Sequence, residues 1–196
     1  GFAVGTNGTI HKYNGASWSL ETSGTLEHLN NVFTLNSGNA YAVGENQTIL
    51  EYNGSVWNPQ TSPLNFNIKD VRFMTPLVGF AAGTNGNIIQ TVDGGNNWTP
   101  SLTGVDIDFN TLDVATSDTI WAAGTNGIVY KSVDNGNNWI RYSVGNTGNQ
   151  AALRVVKGGK GHVVANGGNG RYFNDGIDGV ITKNQSFYTL LNSFDV

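Results

Sequence analysis

GTNGNIIQTVDGGNNW, residues Gly83 to Trp98, returns 41 residues later as GTNGIVYKSVDNGNNW, Gly124 to Trp139. Shorter versions open the chain as GTNGTIHKYNGASW, Gly5 to Trp18, and follow as GENQTILEYNGSVW, Gly44 to Trp57. Trp18, Trp57, Trp98 and Trp139 are spaced 39, 41 and 41 residues apart, and Val180 stands 41 further on, where a fifth Trp would fall. A period near 40 built from short strands is the signature of propeller blades.

Composition agrees. Only 12% of the 196 residues are charged and the net charge is -4, while 27 are glycine, a balance that favours turns over long solvated helices. Nothing basic is gathered to meet a phosphate backbone, so nucleic acid is not an expected partner. With 0 cysteines there is no disulfide framework, thiol nucleophile or cysteine zinc site. Apolar runs are a few residues long, against the roughly 20 a membrane-spanning helix needs, so no membrane insertion is expected.

Each unit reads as four strands, A to D. Strand A holds Val32, Val71, Val114, Val155 and, at the end, Val196. Strand B is Phe2 to Gly5, Tyr41 to Gly44, Phe80 to Gly83, Trp121 to Gly124 and His162 to Ala165, with small residues suited to close sheet packing. The B to C connections Thr6-Asn7-Gly8, Thr84-Asn85-Gly86 and Thr125-Asn126-Gly127 carry the Asn-Gly pair that tolerates positive φ in a tight hairpin. No window sustains a 3.6-residue period, and one open sheet of some twenty strands exceeds the limit of about ten. Radial stacking of four-stranded antiparallel sheets answers both points. The C-terminal Leu191-Asn192-Ser193-Phe194-Asp195-Val196 repeats the strand A pattern of Asn67 to Val71 and Asn110 to Val114, and Gly1 to Gly5 is a strand B with no strand A before it. The expected fold is therefore all-β: a single propeller domain over residues 1–196, of five blades, closed by pairing of the C-terminal strand with the N-terminal blade. A piece of a longer array, for example of seven blades, is the alternative.

The turns before Trp98 and Trp139, Thr91-Val92-Asp93-Gly94-Gly95-Asn96-Asn97 and Ser132-Val133-Asp134-Asn135-Gly136-Asn137-Asn138, resemble Asp-boxes, the S/T-x-D-x-G-x-x-W motif of sialidase-type repeats. In such a turn the carboxylate of Asp93 or Asp134 accepts backbone N–H bonds, Gly95 and Gly136 allow positive φ, and Trp98 and Trp139 pack between blades. The first two units have Asn14 and Asn53 instead and are one residue shorter. The whole pattern is similar to photosystem II assembly factor propellers and related bacterial exported repeat proteins. That resemblance implies that the boxes are structural and distant from chemistry, and that the protein is exported, cell-surface or virion-associated.

A sialidase-like site needs three convergent arginines, and this chain has only Arg72, Arg141, Arg154 and Arg171, on different strands. Another glycosidase would need two carboxylates across the scissile bond; Glu27, Asp70, Asp106 and Asp108 lie in or near the D to A connections, and nothing marks a pair. His11, His28 and His162 fall at different repeat positions without metal-ligand spacing. No catalytic residue, metal or cofactor is expected. Around the axis, the residues before the strand A valines, Asn31, Asp70, Asp113, Arg154 and Asp195, read as one polar ring. It serves either to satisfy neighbouring backbone groups or to hold a hard cation.

Function then falls to the face where D to A loops and B to C turns emerge. His28, Phe66, Asp106, Asp108, Phe109, Asn149 and Tyr188 are the candidate ligand-binding residues, aromatics beside amides and carboxylates that suit a sugar ring or a protein anchor. Because these loops show no repeated ligand set, the reading is a non-catalytic binding or scaffold propeller with a protein or glycan partner. The alternatives are a carbohydrate-binding lectin and, less favoured, a glycoside hydrolase-like domain.

Overall fold

The computed structural model describes residues 1–36 and 38–141 with their side chains and, as backbone, 142–143 and the strands at 150–156, 160–165 and 171–174. Five antiparallel sheets follow one another along the chain. The first is β1 (Phe2–Val4), β2 (Ile10–Tyr13) and β3 (Trp18–Glu21). The second is β4 (Leu29–Asn36), β5 (Asn39–Gly44), β6 (Ile49–Tyr52) and β7 (Trp57–Gln60). The third comprises β8 (Ile68–Phe73), β9 (Gly79–Gly83), β10 (Ile88–Thr91) and β11 (Thr99–Leu102), and the fourth β12 (Phe109–Val114), β13 (Ile120–Gly124), β14 (Ile128–Ser132) and β15 (Ile140–Ser143). β16 (Gln150–Val156), β17 (Lys160–Ala165) and β18 (Arg171–Asn174) form the fifth. The sheets converge on their first strands, β4 beside β8, β8 beside β12 and β12 beside β16. This is the propeller arrangement, and every described strand lies where the repeat places it.

The core is the set of spaces between blades. Ile10, Ala42, Leu50, Tyr52 and Trp57 fill the first junction, Tyr41, Val43, Ile68, Phe73 and Trp98 the second, and Phe80, Ala82, Phe109, Leu112 and Tyr130 the third. Strand B explains the sequence that builds it. Side chains alternate across a strand, so Ala81 faces the second junction while Phe80 and Ala82 face the third. A strand covered on both faces has no polar side, and all five residues of β9 and of β13 are buried. Small residues keep neighbouring sheets close, and one ring per strand fills the space: Phe2 lies 5.1 Å from Trp57 and Phe80 6.4 Å from Trp139, both edge-on.

The strand A register corrects the single polar ring. Asp70 pairs opposite Ala82, and the residue opposite the equivalent Ala123 is Thr111, whereas Asp113 lies opposite Trp121, at the level of Arg72 opposite Phe80. Arg154, opposite His162, shares that second level. The look-alike Asn-x-x-Asp-Val segments are thus slipped by two residues, one full pleat, which keeps the acids on the same face but at different heights. Asp70, 2% exposed, is held at the first level. Its Oδ2 accepts from the Leu112 N–H at 2.7 Å and the Thr111 hydroxyl at 3.1 Å, both on the next blade, and its Oδ1 from the Val71 N–H at 2.9 Å. Arg72 Nη1 sits 2.8 Å from Asp70 Oδ1 and donates at 3.2 Å to Asn31 on the preceding blade. Three blades are tied through one carboxylate whose oxygens are filled by protein donors, which is the backbone-satisfying role.

Burial pushes the Asp70 carboxyl up to about 6 from 3.8, against the opposing pull of Arg72 and the N–H donors. Because the folded value is the higher one, its contribution to stability is complete below 3.8 and is lost as pH rises through about 6. Two results are expected from urea unfolding. Asp70→Ala, which strands Arg72 and the Leu112 N–H, loses roughly 3–5 kcal/mol at neutral pH. The margin of the wild type over Asp70→Asn shrinks between pH 4 and pH 7; a margin that grows over that range contradicts the assignment.

Candidate functional site

The B to C turns show why Asn-Gly recurs. Asn7, Asn85 and Asn126 have φ of 54°, 59° and 60°, and Gly8, Gly86 and Gly127 follow at 66°, 67° and 66°. Two successive left-handed residues close a three-residue turn that few other side chains accept. In the second blade Asn46 and Gln47 do the same at 48° and 58°.

Above three of these turns sits a residue from the following D to A loop, and its role repeats. The Asn7 N–H donates to His28 Nδ1 at 3.3 Å, the Asn46 N–H to Asn67 Oδ1 at 3.0 Å and the Asn85 N–H to Asp108 Oδ1 at 3.0 Å. The carbonyls of His28, Asn67 and Asp108 accept from Glu45, Thr84 and Thr125 of their own blades' turns at 2.9, 3.0 and 2.9 Å. One residue therefore latches two consecutive turns. His28, Asn67 and Asp108 are 39 and 41 residues apart, and Asn149 is the next position at 41. Two of the residues chosen from sequence as ligand contacts are latches instead, and the expectation that these loops share no repeated residue is corrected. The signal was available: the spacing equals that of the tryptophans. Asn149 and Tyr188 lie outside the described residues.

Phe66 and Phe109 are corrected as well. They are 3% and 0% exposed, inside the second and third junctions, and present no ring face to a ligand. Nor are they equivalent: Phe66 precedes the latch residue Asn67, whereas Phe109 follows the latch residue Asp108. Asp108 is doubly committed, its Oδ2 3.1 Å from Lys69 Nζ, which also donates to Asn110 Oδ1 at 2.9 Å. Asp106 alone of the five described candidates projects freely, at the loop tip. Its repeat equivalents Asn65 and Leu26 are exposed too, Leu26 at 84%. The first two loops share a contact lower down, where Ser23 and Ser62 hydroxyls each donate to the carbonyl two residues on, at 3.2 and 2.7 Å. Among the described residues the face is thus a latched, repetitive base carrying three unlike tips: apolar, amide and acid.

In the third and fourth C to D turns the carboxylates are taken up by the turn itself. Asp93 Oδ1 accepts from the Asn97 N–H at 2.9 Å and the Thr91 hydroxyl at 2.9 Å, and Oδ2 from Asn97 Nδ2 at 2.7 Å. Asp134 repeats the set with Asn138 and Ser132 at 2.8, 2.7 and 2.7 Å. Gly95 and Gly136 have φ of 89° and 78° and lie under a ring of the preceding blade: a Cβ would fall 2.7 Å from Tyr41 and 2.4 Å from Phe80. The Tyr41 hydroxyl bonds the Gly94 carbonyl, and Trp139 Nε1 donates to Ser101 Oγ at 3.0 Å. Arg72 and Arg141 lie on the first and last strands of their sheets, so these two arginines do not converge. No group of three or more His, Asp or Glu side chains able to hold a metal occurs among the described residues.

The fold and its loop face define a β-propeller of repeated blades. No family model and no curated protein matches the chain. Solved structures do match it. YCF48 bound to D1 peptide superposes with a TM-score of 0.65 at 18% identity, over 84% of this chain and 56% of that one. YCF48 from Cyanidioschyzon merolae gives 0.63 at 15% identity, over 84% and 62%. The Niastella koreensis GH74 enzyme gives 0.62 at 15%, over 91% and 29%. At such identities the likeness is one of fold, and the chain spans less than two thirds of the length of each.

The asparagine and hydroxyl donors hold the Asp93 and Asp134 carboxyls below the usual 3.8. Their stabilisation is present at neutral pH and is lost as pH falls below 3.8 towards the depressed folded values. In thermal melts the double variant Asp93→Asn, Asp134→Asn is expected to be less stable than wild type at pH 7, with the difference closing on acidification below pH 4. A constant difference across that range would show that the carboxylates do not hold the turns as ions.

Proposed function

We propose that this protein is a non-catalytic binding propeller whose loop face, tipped by Leu26, Asn65 and Asp106, docks a protein partner. The observation that carries the reading is the division of labour on that face. The base residues His28, Asn67 and Asp108 are consumed by latching the turns, while the tips at one repeat position are exposed and chemically different. Unlike tips on a common base suit one composite surface, where a lectin with a site per blade would repeat its contacts. The solved YCF48 with a D1 peptide bound shows a similar fold engaging a peptide, which supports a protein partner here.

Hydrolysis is disfavoured by geometry. Of the nearest carboxylates, Asp106 is free but Asp108 is salt-bridged to Lys69 and hydrogen-bonded to the Asn85 N–H, so the loop offers no free pair to act as acid and base. The C to D turns are proposed to be true Asp-boxes, given that both repeat the same carboxylate contacts.

The test is selection of a random-peptide display library on the full chain, alongside a glycan array. Saturable binding of an enriched peptide is expected, weakened at least about tenfold in the variant Leu26→Ala, Asn65→Ala, Asp106→Ala, with the melting temperature unchanged because the tips lie outside the core. Glycan binding in place of peptide binding, or peptide binding indifferent to the tips, overturns the proposal.

A further inference from the structure

Six Asn-Gly pairs lie among the described residues, and the fold divides them into two kinds. In such a pair the main-chain nitrogen of the glycine can attack the side-chain amide before it, because glycine brings no side chain to hinder the approach. In the B to C turns Asn7, Asn85 and Asn126 have ψ of 38°, 30° and 23°. Such angles turn the glycine nitrogen almost opposite to Cβ, out of reach of Cγ. The Gly8 nitrogen is also engaged, donating to the Glu27 carbonyl at 2.8 Å. In the fourth blade Asn135 is left-handed too, with φ of 57°, and the Gly136 N–H donates to Ser132 Oγ at 2.8 Å. These four pairs are held away from the reaction.

The C to D turns of the first two blades are built differently. Neither Asn14 nor Asn53 is left-handed. Asn14 Oδ1 accepts from the Ala16 and Ser17 N–H groups at 2.9 Å each, and Asn53 Oδ1 from those of Ser55 and Val56 at 3.1 Å each. Both pairs of bonds run forward along the chain, so they fold the amide over the peptide that joins it to Gly15 or Gly54. The glycine is fixed from its other end, where the Tyr13 and Tyr52 hydroxyls donate to the Gly15 and Gly54 carbonyls at 2.8 and 2.7 Å. The Gly15 and Gly54 N–H groups make no hydrogen bond among the described residues. Both asparagines are exposed to water, and nothing lies within 4 Å of the Gly15 Cβ position.

We propose that Asn14 and Asn53 are sites of self-modification through a succinimide. The glycine nitrogen attacks Cγ and gives up its proton to solvent, and the charge that gathers on Oδ1 is met by the two N–H groups already bonded there. The Cγ–Nδ2 bond then breaks, and ammonia leaves with a proton taken from solvent, closing the ring. Water reopens the ring at Cγ to give aspartate, or at the main-chain carbonyl to give isoaspartate. In sum, one amide and one water become one carboxylate and one ammonium ion. Aspartate formed there keeps both N–H bonds and gives the first two turns the carboxylate that Asp93 and Asp134 supply in the third and fourth. Isoaspartate instead routes the chain through the side chain and lengthens a hairpin whose strands pair as far as Tyr13 with Trp18 and Tyr52 with Trp57. Either product adds a negative charge to the turn, at the opposite end of strand C from the loop face.

The test is peptide mapping by mass spectrometry of the full chain aged in mildly alkaline buffer, folded and unfolded in guanidinium, with hydroxylamine to trap the ring. With each site's rate divided by its rate in the unfolded chain, Asn14 and Asn53 are expected to convert at least about tenfold faster than Asn7, Asn85, Asn126 and Asn135. Hydroxylamine should cleave the folded chain after Asn14 and Asn53. Asn14→Gln, whose longer side chain would have to close a larger ring, should lose the first site and leave the second unchanged. Normalised rates that are alike at all six pairs, or higher in the left-handed turns, overturn the proposal. Conversion without hydroxylamine cleavage would mean that water attacks the amide directly, and overturns it as well. None of these readouts depends on the partner reading of the loop face.

Discussion

Two of the described blade junctions are fixed by an aromatic ring pressed onto a glycine. Tyr41 lies over Gly95 and Phe80 over Gly136, close enough that any Cβ there would overlap the ring. Most of the repeat follows from this contact. The glycine must sit in the left-handed region, so a carboxylate or amide is needed to gather the turn's N–H groups around it. The ring must stand on strand B, so that strand's other residues must be small enough for the sheets to approach. The tryptophan that closes the turn then fills the rest of the junction, Trp57 edge-on to Phe2 and Trp139 edge-on to Phe80. A fold made of such junctions is stabilised by nearest-neighbour interfaces, and its polar side chains are mostly used to fasten one blade to the next.

That use of polar groups separates what the sequence made legible from what it hid. Strand order, turn type and the roles of Asp93, Gly95 and Trp98 could be read because each is dictated locally: a period, a dihedral requirement, a turn's unsatisfied N–H groups. The strand A level was misread because Asn67 to Val71 and Asn110 to Val114 share letters while their true offset is two residues. A strict 41-residue count from Asp70 leads to Thr111, and the β5, β9 and β13 partners confirm that register. Similar composition outweighed spacing, and in a repeat protein spacing is the stronger physical constraint.

The loop face was hidden for a different reason. A histidine, an asparagine and an aspartate in exposed connections look like ligand contacts, since sequence does not reveal which backbone donor stands opposite. All three are acceptors, and that shared property is what the latch needs: His28 Nδ1, Asn67 Oδ1 and Asp108 Oδ1 each receive one turn N–H. The task asks only for a lone pair at that point, which an imidazole nitrogen, an amide oxygen and a carboxylate oxygen can each offer, so residues otherwise different occupy one position. Phe66 and Phe109 misled in the opposite direction. They flank the latch, where the chain dives into the blade junction, and their burial follows from that turn inwards.

An architecture that spends its acceptors on latches constrains how function can be carried. A new activity placed at a base position would have to break a turn, and a change there costs stability before it changes recognition. The tips are under no such constraint: Leu26, Asn65 and Asp106 differ in every respect except position, while Ser23 and Ser62 make the same contact beneath the first two. Recognition can therefore diversify without disturbing the junctions, provided that it works through surface complementarity and not through a buried constellation. Catalysis asks for the reverse, groups held and desolvated together, and among the described residues of this face the latch groups are already paired. The same physics that makes the repeat easy to recognise leaves the described loop tips independent of the junctions beneath them.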